Sequence, residues 1–195
     1  TIYSTNEVAE AFIQLLTSGQ TAEEAMITLP AVLDLAAASG MDLGVTADMV
    51  TDIMAAFGLG VEDAALVTEA LNAGAGASSA TVDHLGAAFA NVGPIARQYG
   101  IDVETLVAAL AVMAENGIKG AEAGTGLKSM LVNMTRPTES VTAAWDELGT
   151  SFYDAQGNAR PLNNVLADIK IGLEGMPIEQ QNKLLYDLAG SYGLV

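Results

Sequence analysis

Ser4-Thr5-Asn6-Glu7-Val8-Ala9-Glu10-Ala11-Phe12-Ile13-Gln14-Leu15-Leu16-Thr17-Ser18-Gly19-Gln20-Thr21-Ala22-Glu23-Glu24 holds a helix start, a helix stop and a second start in immediate succession. Ser4 and Glu7 stand three residues apart, the spacing at which a hydroxyl and a carboxylate each accept a free amide at a helix start. Val8, Phe12, Leu15 and Leu16 then recur at the helical period, predicting one apolar stripe. Gly19 ends the run, and Thr21 and Glu24 repeat the start signal at once. The first connection is therefore expected to be a tight turn between two helices.

The same alternation continues outward along the chain. Pro30 either kinks the second helix or lies in the first turn of a new one that runs to Gly40. Further helices are predicted near 46–57, 61–73, 80–99, 103–116, 120–135, 138–148, 162–174 and 178–189. Asp42, Ser79 and Asp102 are the expected caps or turn residues, and Gly58, Gly100, Gly117, Gly175 and Gly190 the expected stops. Pro94, inside an apolar segment, is expected to bend or split its helix. From Ser151 to Leu162 the rhythm breaks: Phe152-Tyr153, then Gly157-Asn158, then Pro161 predict a short hairpin or extended loop. The fold class is all-α, a compact array of short antiparallel helical hairpins with one small hairpin or loop insertion near 150–162. Arg136-Pro137-Thr138 marks the expected boundary between a helical core unit, 1–135, and a smaller helical unit, 136–195. Ser39-Gly40-Met41-Asp42-Leu43 is echoed by Tyr99-Gly100-Ile101-Asp102-Val103, which suggests two units stacked in similar ways.

Composition agrees with this pattern. Hydrophobic residues make up 51% of the 195 and the mean hydropathy is +0.36, which excludes disorder through lack of apolar surface. Aromatics are only 5%, so Ala, Leu, Val and Met carry the core and helices pack through small side chains. No charge-free stretch is longer than Ala70 to Val82, which includes Asn72, two glycines and two serines. A membrane span needs ~20 predominantly apolar residues, so none is predicted. No basic-then-apolar leader opens the chain, and no signal peptide is expected in this segment. Cysteine is absent, which excludes disulfides and thiolate metal sites.

Charge narrows the partners. The net charge is −17, and residues 1–96 hold twelve carboxylates without a single Lys or Arg. From Arg97 onward seven cations face twelve carboxylates. Such a surface does not neutralise phosphates, so direct nucleic-acid binding and attraction to anionic membranes are both disfavoured.

The residues offer little chemistry. His84 is the single histidine, and its neighbour Asp83 does not face it on a helix, so a surface or cap role is expected. Glu23-Glu24 and Glu62-Asp63 sit where acids meet the positive end of a helix dipole. Asp48 and Asp52 lie one turn apart, but two ligands do not make a cation site. Gly120-Ala121-Glu122-Ala123-Gly124-Thr125-Gly126-Leu127-Lys128-Ser129 is not a phosphate loop, because Leu127 separates Gly126 from Lys128. Gly120, Gly124 and Gly126 instead suggest a small-residue face for close helix approach. Most of the eight methionines fall at apolar helical positions, so core filling is expected of them, with an adaptable binding groove as the alternative. Trp145 is expected to anchor the core. No catalytic residue, cofactor site or metal site is predicted.

Glu115-Asn116-Gly117-Ile118-Lys119-Gly120-Ala121-Glu122-Ala123-Gly124-Thr125-Gly126-Leu127-Lys128-Ser129-Met130-Leu131 closely resembles the core region of bacteriophage tail tape measure proteins. The positions that carry the likeness there are Gly117, Ile118, Lys119, Gly120, Ala123, Gly124, Thr125, Leu127, Lys128 and Leu131. Leu29-Pro30-Ala31-Val32-Leu33-Asp34 and Val92-Gly93-Pro94-Ile95-Ala96 add Pro30 and Pro94 in the same order, and Thr46 to Thr51, Arg136-Pro137-Thr138 and Leu148 to Leu162 continue it. The likeness covers about residues 4–175. Ala121 and Lys128 depart from the serine and arginine common in the family, and Met176 to Val195 matches less well.

The resemblance implies a structural protein, not an enzyme. Members of that family scaffold the polymerising tail tube, set tail length from within the lumen, and leave ahead of the genome. It implies partners among tail tube and tail-tip proteins and tail assembly chaperones, with no cofactor, and a place in the virion tail lumen after assembly in the bacterial cytoplasm. Members are generally much longer than 195 residues, so a segment of a longer protein is expected. Self-association as a homo-oligomer is expected on separate grounds, from apolar faces on glycine-rich helices. The competing expectation is a membrane-active module that inserts only on ejection; a cell-wall hydrolase lacks a convergent acid and base. A ruler works by extended helix at ~1.5 Å per residue, whereas glycine and proline stops make this segment compact. The expectation is therefore a globular assembly or end-contact module.

Overall fold

The computed structural model of the chain describes residues 3–194. The outer ends of the two expected units, Thr1-Ile2 and Val195, lie outside the described residues. Helix α1 spans Thr5–Thr17, and its start is the reciprocal cap read from sequence: Glu7 N–H donates to Ser4 Oγ at 3.3 Å, and Ser4 N–H to the Glu7 carboxylate at 2.8 Å. Helix α2 (Ala22–Ser39) opens in the same way on Thr21 and Glu24.

Helix α2 runs through Pro30 without a break, so the two alternatives resolve to one helix. Proline removes the amide that would bond the carbonyl four residues earlier. Pro30 and Met26 are both exposed, which leaves that carbonyl to water at little cost. Helix α5 (Val82–Gln98) likewise continues past the exposed Pro94, with exposed Ala90 one turn back, and is not split.

Helix α3 (Leu43–Phe57) begins three residues before its predicted start, because Asp42 Oδ1 accepts the Val45 amide at 3.0 Å. The segment expected to be helical from 61 opens instead as a 3-10 turn, Val61–Asp63, before α4 (Ala64–Ala77), which continues past Gly74 and Gly76. Ser79 is a turn residue, and Thr81 caps α5. The remaining α-helices are α6 (Val103–Glu115), α7 (Gly120–Met134), α8 (Glu139–Leu148), α9 (Leu162–Leu173) and α10 (Ile178–Ala189), followed by a 3-10 segment, Gly190–Leu194. The described residues thus form an all-α fold of ten α-helices without a strand. The break near 150–162 is a loop closed by one antiparallel bridge, Tyr153 to Ala159, and by the Arg160 amide donating to the Phe152 carbonyl at 3.0 Å.

Packing follows a simple order. Each helix of the first seven lies on the helix two places along the chain: α1 on α3, α3 on α5 and α5 on α7, with α2 on α4 and α4 on α6. Neighbours in sequence also touch, so the odd and even helices form two facing rows. Helix α10 and the 3-10 segment then lie on α7, with α10 also against α8 and α8 against α9. One continuous cluster of buried side chains, from Ala11 and Leu15 to Leu184 and Leu188, fills the space between these helices.

The echo seen in sequence has a structural counterpart. Gly40 and Gly100 both adopt left-handed φ, at 71° and 68°, before the Asp42 and Asp102 caps. Gly58 and Gly117 end α3 and α6 alike, with Leu59 N–H donating to Met54 O and Ile118 N–H to Met113 O. One expectation needs correction. Leu16 is exposed at 38%, so the buried stripe of α1 is Ala11 and Leu15, flanked by half-buried Val8 and Phe12. Of the methionines, Met54 and Met134 are buried in the core, Met41, Met49, Met113, Met130 and Met176 pack half-buried against it, and Met26 is 69% exposed.

Candidate functional site

The segment that carries the family likeness folds into the corner between α6 and α7. Ile118 N–H closes the end of α6 on Met113 O at 3.0 Å, with Gly117 in a left-handed conformation that L side chains rarely adopt. Lys119 Nζ donates to Ser79 O at 2.9 Å, and Ser79 in turn donates its amide to Glu115 and its hydroxyl to Ala114 O. The lysine therefore ties this corner to the turn before α5. Gly120 opens α7 at φ +61° beside His84.

Helix α7 then presses onto α5. A Cβ on Gly124 would stand 2.8 Å from Ala88 Cα and closer still to its carbonyl oxygen, so only glycine allows this approach. Ala123, Leu127 and Leu131 are buried along the same helix, while Thr125 and Lys128 face outward. The Thr125 hydroxyl bonds back to Ala121 O at 2.8 Å. The three glycines do not make one face. Gly120 and Gly124 meet α5, whereas Gly126 lies against the Tyr192 ring.

The C-terminal elements close around the far end of α7. Trp145 of α8 is buried and donates its indole N–H to Met134 O at 3.0 Å, the anchoring role expected of it. Tyr99 and Thr135 share a hydroxyl contact of 2.8 Å, and Phe152 stacks edge-on against Tyr99. Arg160 pairs with Asp168 and also donates to Thr150 Oγ1 and Ser151 O, which fixes the loop between α8 and α9. That guanidinium holds the Asp168 carboxyl below the usual carboxylate range. Backbone amides, led by that of Asn158, do the same for Asp154. Neither the Arg160–Asp168 pair nor the Asp154 turn was read from sequence, though the Gly157-Asn158 signal marked the place.

The titratable groups stay dispersed. His84 is a cap: its Nδ1 accepts the Thr81 amide at 3.2 Å, while its own amide donates to Thr81 Oγ1. Among the described residues no three His, Asp or Glu side chains converge as metal ligands. Asp48 and Asp52 border an open groove between α3 and α5, together with Asp83. No single described helix is long and apolar enough to cross a membrane. Helices α2 and α3 pass that test only as a pair, but they bend by 120° at their junction. Their residues Val32, Leu35, Val50 and Ile53 are buried in the core. The arrangement is a set of fitted helix contacts with no assembled acid–base or nucleophilic pair among the described residues.

Comparison with known proteins matches this corner and nearly all the rest. The family model described as phage-related minor tail protein matches residues 1–190, further toward the C-terminus than the motifs that carry the resemblance. The tape measure protein of Pneumococcus phage Dp-1 is 34% identical over 194 residues, which is 100% of this chain and 17% of that protein. The probable tape measure protein of Escherichia phage P2 is 25% identical over 174 residues, 89% of this chain and 21% of that protein. The chain thus spans about a fifth of the length of these curated relatives. No solved structure matches it.

Proposed function

Because this chain belongs to the phage-related minor tail protein family, we propose that it is a folded module of a tail tape measure protein, a structural scaffold for tail assembly and length determination. The observation that carries this reading is the match to the Dp-1 tape measure protein along the whole chain.

The fold bears on how such a module works. Its helices double back on one another, so it spans far less than the ~1.5 Å per residue of an extended helix. We assign it to a contact or nucleating role at one place in the tail, separate from the extended ruler. In this reading residues 1–135 form the stacked array and 136–195 its end cap, laid over α7. Tube and tip subunits, assembly chaperones and further copies of the chain are its partners, first in the bacterial cytoplasm and then in the tail lumen. Exposed Ile13, Ile27 and Val112 supply apolar contact surface for them. A net charge of −17 disfavours adhesion to DNA passing through the same lumen.

Electron microscopy of particles from a parent phage lacking these residues in frame tests the proposal. The expected result is loss of tails or tails of uncontrolled length. Normal tails that fail at infection would contradict it.

A further inference from the structure

The groove between α3 and α5 has a volume of about 500 Å³, room for a few side chains. Buried Ile53 and Phe89 form its floor, and half-buried Met41 and Met49 its walls. Its exposed edges carry Asp48 and Asp52, one turn apart on α3, and Asp83 in the first turn of α5. Gln14 of α1 donates to Asp48, but no described Lys or Arg pairs with any of the three; the ion pair in the described residues is Arg160–Asp168. Arg97, the first cation in the chain, folds over Gly58 and does not line the groove.

We propose that this groove docks a basic amphipathic helix of a partner protein. The helix sets its apolar face on Met41 and Met49 and its Lys or Arg side chains against Asp48, Asp52 and Asp83. Three observations carry the assignment. An apolar floor with acidic edges complements a helix with an apolar face and basic flanks, and repels an acidic one. The methionine walls adapt through their flexible thioethers, and Gly86 makes the space that Met49 occupies, where a Cβ would stand 2.8 Å from Met49 Cγ. A helix laid across two neighbours already occurs within this fold, where α10 lies on α7 and α8. The proposal does not depend on the tail-assembly reading and stands or falls separately from it.

Titration of the 195-residue chain with a synthetic Leu/Lys amphipathic helix, followed by methionine-methyl NMR, tests it. Met41 and Met49 are expected to shift saturably, and the exposed Met26 on α2 to stay unmoved. Binding weakens with added salt, and a Leu/Glu helix of the same pattern gives no shift. Ala90→Trp, which fills the groove from an exposed position, weakens binding by about tenfold or more. The triple variant D48N/D52N/D83N removes most of the salt dependence. Absence of shifts, equal shifts at Met26, or unchanged binding by Ala90→Trp would overturn the proposal. So would shifts of Met41 and Met49 on concentrating the chain alone, which would make a second copy the occupant.

Discussion

Gly124 of α7 lies directly on the backbone of Ala88 in α5, so close that a β-carbon has no place between them. Two opposing effects bear on Gly124→Ala. Helix propensity favours alanine by about 1 kcal/mol. Overpacking against backbone, which has no rotamer to yield, costs about 1–3 kcal/mol or more. The clash wins, and the variant is expected to be less stable by about 1–2 kcal/mol in urea unfolding. Gly76, exposed near the end of α4 with nothing within 4 Å of its missing Cβ, is the control. Gly76→Ala is expected to gain about 0.5 kcal/mol. Equal shifts for both variants would show that α5 and α7 do not meet this closely.

Trp145 provides the second test. Its indole N–H reaches Met134 O from a buried position, joining α8 to the end of α7. Trp145→Phe keeps an aromatic ring but removes the donor and leaves a buried carbonyl without its partner. A loss of about 1–3 kcal/mol is expected, seen as a lower urea midpoint with an unchanged slope. Wild-type stability in the variant would place the Trp145 donor in water.

Acid behaviour follows from four carboxylates. The Ser4 hydroxyl holds Glu7 below its ordinary value, the Thr21 amide holds Glu24, the Asn158 amide holds Asp154, and the Arg160 side chain holds Asp168. Each pKa is lower in the folded chain than in the unfolded one, so the folded state binds fewer protons in acid. The stabilisation is complete above the unfolded values of about 4 and disappears as pH falls through the folded ones. Carboxyl NMR titration is expected to place these four below about 3.9 for Asp and 4.3 for Glu. The urea midpoint is expected to fall over the same range, and a midpoint that rises on acidification would reverse the sign.

Local chemistry makes most of the helices legible in the sequence. Ser4 with Glu7, Thr21 with Glu24, Asp42 and Asp102 act over three residues, so their partners are visible beside them. Leu16 fitted the period of α1 yet faces outward, because period alone does not say how wide a stripe the neighbours cover. Pro30 was expected to kink α2 or open a new helix and Pro94 to bend or split α5, but both helices continue, with each proline on an exposed face. The long-range fits were out of reach. Gly120, Gly124 and Gly126 read as one small-residue face, whereas Gly126 belongs to Tyr192, far along the chain. Asp48 and Asp52 were visible as a pair, but only folding adds Asp83 and the apolar floor between them.

In the proposed role this segment contributes a folded body to the tail and no measured length. Tail length in a phage whose tape measure protein carries the segment twice in tandem tests this most directly. The account predicts tails of unchanged length. Tails longer by ~290 Å, the span of 195 residues at ~1.5 Å each, would show that the segment is read as ruler.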